Sequence, residues 1–144
     1  MARLSAHGLN YDKDKVKRSA IPDYQKKQAL LYIQKSAPAD LTAYGCLYLE
    51  AGRIADALDF FQAAADRSGL EKIKVWAENE GDGMAYLNAV KALQQEPTPD
   101  DWERIGRTAL SKGKLIFARQ AIAKSGNAAL QEEIDRLLVE QTGN

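Results

Sequence analysis

The sequence predicts an all-α protein, an α-α superhelix of about eight helices in antiparallel hairpins. Three observations carry that reading. Nearly every segment after residue 22 spaces its apolar residues at three and four, and no run of alternating β-branched residues competes. Gly and Pro punctuate the chain at intervals suited to helices of three or four turns. One tract recurs at an offset of 61 residues. With 144 residues the chain is long enough to bury a core without disulfides or a structural metal.

The elements follow in order. Pro22 suits a first helical turn, and Ala29, Leu30 and Ile33 form a stripe on a helix over 23–36 that Pro38 breaks. Asp40 is read as the cap of the next helix. Leu41, Tyr44, Gly45, Tyr48 and Leu49 mark its buried face, and Gly52 closes it in the left-handed conformation. Ile54, Ala57, Leu58, Phe61 and Ala65 place a second helix ending near Gly69. A shorter hairpin follows over 70–96, with Gly81 between its helices and Asp82 capping the second. Pro97 and Pro99 set a boundary where Thr98 and Asp100 are capping candidates. Trp102, Ile105, Gly106, Ala109 and Leu110 define a helix closed by Gly113, and Leu115, Ala118 and Ile122 its partner, ending near Gly126. Leu130, Ile134, Leu137 and Leu138 belong to a last helix over 128–141.

The repeated tract reads LTAYGCLYLEAGRIADALDFF in the first copy and WERIGRTALSKGKLIFARQAI in the second. Gly45 pairs with Gly106, Gly52 with Gly113, Ala57 with Ala118 and Phe61 with Ile122. The alternation of sizes suggests that Gly45 and Ala57 let two backbones approach while Tyr48 and Phe61 fill the wider spaces. The pattern resembles the tetratricopeptide repeat (TPR), in which a large apolar residue stands four before a glycine and Ala-x-x-x-Phe marks the second helix. Leu41, Tyr44, Gly45, Tyr48, Ala57 and Phe61 match in one copy, and Trp102, Ile105, Gly106, Ala118 and Ile122 in the other. Ala109 stands where an aromatic is usual, and Gly69 and Leu130 where a proline commonly closes the repeat. The offset corresponds to one repeat of 34 residues and a truncated one of about 27. The second copy is also similar to the helical hairpins of vesicle-coat and intraflagellar-transport solenoids. The resemblance implies a TPR-like helical-repeat domain over 22–141, preceded by a basic, flexible segment over 1–21.

Catalytic, metal and cofactor signatures are missing from the sequence, so the chain reads as a non-enzyme with no cofactor. His7 is the lone histidine, which leaves no base for a triad and too few ligands for a histidine metal site. Cys46 reads as a small packed thiol. The string Glu78 to Gly83 echoes a calcium loop, but its twelfth place is Ala89, so a turn explains it better.

Binding to another protein or peptide is therefore the expected function. In proteins that the chain resembles, the first helix of each pair lines a groove; here that implies Thr42, Cys46 and Glu50 in one copy and Glu103, Arg107 and Ser111 in the other. Thr42 and Cys46 replace the Lys and Asn of a carboxylate clamp. Arg104 and Arg107 are candidates for an acidic partner, because a guanidinium grips carboxylates with two prongs. Self-assembly into a homo-oligomer is a further route, should the ends of the helix stack stay open.

Net charge is zero, but residues 1–37 carry eight Lys/Arg against three Asp, and residues 38–97 five basic against ten acidic residues. The alternative reading is therefore a nucleic-acid-associated protein using the basic N-terminal segment, with Tyr24 and Tyr32 near Lys26, Lys27 and Lys35 as a stacking group. The interspersed Asp12, Asp14 and Asp23 make that footprint weak. No stretch approaches the roughly 20 apolar residues of a membrane span. With no secretory signal read and one cysteine, a cytoplasmic setting is expected.

Overall fold

The computed structural model describes residues 21–34 and 36–143, and the expectation of a flexible basic segment over 1–21, with His7, lies outside them except for Ile21. Among the described residues all regular structure is helical, as the sequence predicts. The chain divides into two compact units between Leu70 and Glu71.

In the first unit α1, Tyr24–Gln28, starts on Asp23, whose carboxylate accepts the Lys26 amide at 2.8 Å. Pro22 thus lies ahead of the cap and outside the first turn. The chain then widens into a π turn, Ala29–Ile33. The expected stripe fails here. Leu30 is buried, yet Ile33 is 78% exposed, because i→i+5 bonding rotates residues off the 3.6 period.

Helix α2, Pro38–Glu50, opens with Pro38 in its first turn and Ala37 as N-cap. Pro38 therefore begins an element, since its missing N–H costs nothing there. Asp40 sits within the first turn, where its charge favours the positive end of the helix. Helix α3, Ile54–Ala63, follows the Ala51–Arg53 turn and packs back along α2.

The end of α3 corrects the sequence reading. Ala65, at φ 53°, is the left-handed closing residue, and Asp66 starts α4, Arg67–Glu80, by accepting the Gly69 amide at 3.0 Å. Gly69 is thus part of a helix and not its terminator. The Phe61 ring lies between Gly45 of α2 and Gly69 of α4: a Cβ on Gly45 would stand 2.6 Å from Phe61 Cε1, and one on Gly69 2.7 Å from the same atom. The small residues make room for a ring, where the sequence suggested bare backbone approach. Tyr48 stacks on Phe60 with centroids 5.3 Å apart, and both are fully buried.

The second unit holds the rest of α4 with α5 (Gly83–Ala92), α6 (Pro99–Ser111), α7 (Leu115–Ser125) and α8 (Ala128–Thr142). Three of the four helices that start in it, α5, α6 and α8, are capped by side chains. Asp82 accepts from Ala85, Asn127 accepts from Leu130, and Thr98 with Asp101 forms a reciprocal capping box. Asp100, the other candidate, is a first-turn residue. One core joins Ala77, Tyr86, Val90, Trp102, Ile105 and Ala121. A second joins Ala109, Ala118, Ile122, Leu130 and Ile134.

The second tract repeats the first at its central contact. Gly106 faces Ile122 as Gly45 faces Phe61: a Cβ there would stand 2.6 Å from Ile122 Cγ1. Ala57 and Ala118 are both fully buried, and Gly52 and Gly113 take φ of 78° and 75° with nothing within 4 Å of a Cβ.

Candidate protein-binding faces

The residues expected to line a groove fall on α2 in the first unit and on α6 in the second. On α2, Leu41, Gly45 and Tyr48 point into the hairpin, which turns Thr42, Cys46 and Glu50 away from the core. Thr42 donates its hydroxyl to Asp66 at 3.2 Å, so it braces the α3–α4 turn. Cys46 is half-buried and Glu50 is exposed.

Helix α6 is the more charged. Trp102, Ile105, Gly106 and Ala109 are buried, leaving Glu103, Arg104, Arg107 and Ser111 off the core face. Arg107 and Glu103 pair at 2.9 Å, one turn apart. Glu103 also accepts from Asn127 at 3.2 Å, tying α6 to the start of α8. Those two donors, Arg107 first, hold the Glu103 carboxyl below its ordinary range. Arg104 reaches Glu78 of α4 at 2.8 Å and Asp101 at 3.1 Å. Both arginines remain more than half exposed, at 55% and 57%. Ser111 donates to the Thr108 carbonyl at 2.8 Å.

Beneath Arg104 lies a polar cluster that the sequence did not reveal. Burial pushes the Tyr86 hydroxyl up to about 12, and the charges of Asp101 and Glu78 act in the same direction. The Thr98 amide, more than any other group, holds the Asp101 carboxyl below its usual range, and Arg104 adds to this. Tyr86 meets Trp102 edge-on at 5.6 Å, while Lys124 lies 4.3 Å above the Trp102 ring. Residues from four helices thus converge under the α6 face. Sequence spacing along one helix cannot report such a meeting.

The string Glu78 to Gly83 is consumed structurally. Glu78 pairs with Arg104, Glu80 receives Lys114 at 3.5 Å, and Asp82 caps α5. Among the described residues no three His, Cys, Asp or Glu side chains converge to hold a metal ion. No helix among them is long and apolar enough to cross a membrane.

The aromatic-plus-basic group is divided by the fold. Tyr24 and Tyr32 are 74% and 72% exposed and Lys26 is exposed, but Lys27 is drawn into ion pairs with Asp56 and Asp59. Lys35 lies outside the described residues. No protein-family model, curated protein or solved structure matches the chain.

Proposed function

We propose that the chain is a non-catalytic, TPR-like adaptor that binds another protein through the outward faces of α2 and α6. One observation carries the reading. In both tracts the large side chain of the second helix is seated on a glycine of the first. That seat commits one side of α2 and of α6 to packing and turns Thr42, Cys46 and Glu50 of α2 and Glu103, Arg107 and Ser111 of α6 off it. On α6 the outward side presents two exposed arginines whose resident carboxylates a partner's carboxylate can replace. A cytoplasmic adaptor fits the single cysteine.

The test is crosslinked capture from the native cell with the parent chain and with Arg104→Gln/Arg107→Gln. The affected ion pairs are exposed, so each costs about 1 kcal/mol or less and the variant stays folded. The expected result is a partner recovered with the parent and lost with the variant. Equal recovery, or none with either chain, overturns the proposal.

The nucleic-acid reading rests on the exposure of Tyr24 and Tyr32 beside Lys26. It requires binding to a single-stranded oligonucleotide that falls steeply as salt rises, because phosphate contacts release counterions. Salt-insensitive partner binding with no oligonucleotide binding removes it.

A further inference from the structure

We draw no further inference here: the strongest candidate, the surface patch that Ile116 and Phe117 expose on α7 of the second unit, carries nothing because nothing in the structure shows what covers it.

Discussion

At the scale of single residues, five of the described helix ends share one device. At Gly52, Ala65, Gly81, Gln94 and Gly113 the backbone turns left-handed, and the next amide bonds back five residues, as from Arg53 to Tyr48 and from Lys114 to Ala109. The three glycine ends were legible because glycine alone bears that conformation without cost. The two others were hidden, since nothing in Ala65 or Gln94 announces a positive φ. Both are exposed, so Ala65→Gly and Gln94→Gly should each stabilise the protein by about 1 kcal/mol, read from urea melts. Gly81 carries a second duty. A Cβ there would stand 2.6 Å from the Ala109 backbone nitrogen, whereas Gly113 faces open space. Gly113→Ala should cost about 1 to 2 kcal/mol through backbone strain alone. Gly81→Ala should cost clearly more, because backbone cannot rotate aside. Equal losses would show that the α4–α5 turn has room against α6.

At the scale of elements, the hairpins were legible and their mode of packing was not. Offset and residue size identified Gly45 with Gly106 and Phe61 with Ile122. Only coordinates show each glycine beneath the side chain sixteen positions on. Gly106→Ala should destabilise by roughly 1 to 3 kcal/mol through overpacking. In an Ile122→Val background, which removes the Cδ1 atom nearest Gly106, the same change should cost less. A purely additive double-mutant cycle would remove this contact from the account. Capping was read correctly at Thr98 and Asp82 because those oxygens act locally. It was misplaced at Asp40, because Pro38 had already opened α2. Asp101 adds a pH dependence. Its folded-state pKa lies below the unfolded one, so its stabilisation is complete above the ordinary aspartate range and fades as pH falls through that range and lower. The stability gap between the parent and Asp101→Asn should therefore shrink between pH about 6 and pH about 3 in urea melts.

At the scale of the whole molecule, opposite charges are sorted along a chain whose net charge is zero and whose isoelectric point is near 6.6. Molecules of this kind attract one another head to middle at low ionic strength. Light scattering at that pH should therefore fall when salt is raised to about 0.5 M, where the screening length is only a few Å. Scattering that rises with salt would point instead to apolar contacts such as Ile116 and Phe117, which stand exposed on α7. The sequence by itself determined the helical class, the hairpin rhythm, the paired tracts and most helix ends, because periodicity, proline and glycine act within a turn or two of chain. Tertiary structure alone decided that Lys27 binds across to Asp56 and Asp59, that Gly81 meets Ala109, and that Tyr86, Asp101, Arg104 and Glu78 share one cluster. Those meetings bring together residues up to 32 positions apart and depend on where whole helices come to rest, which no local pattern encodes.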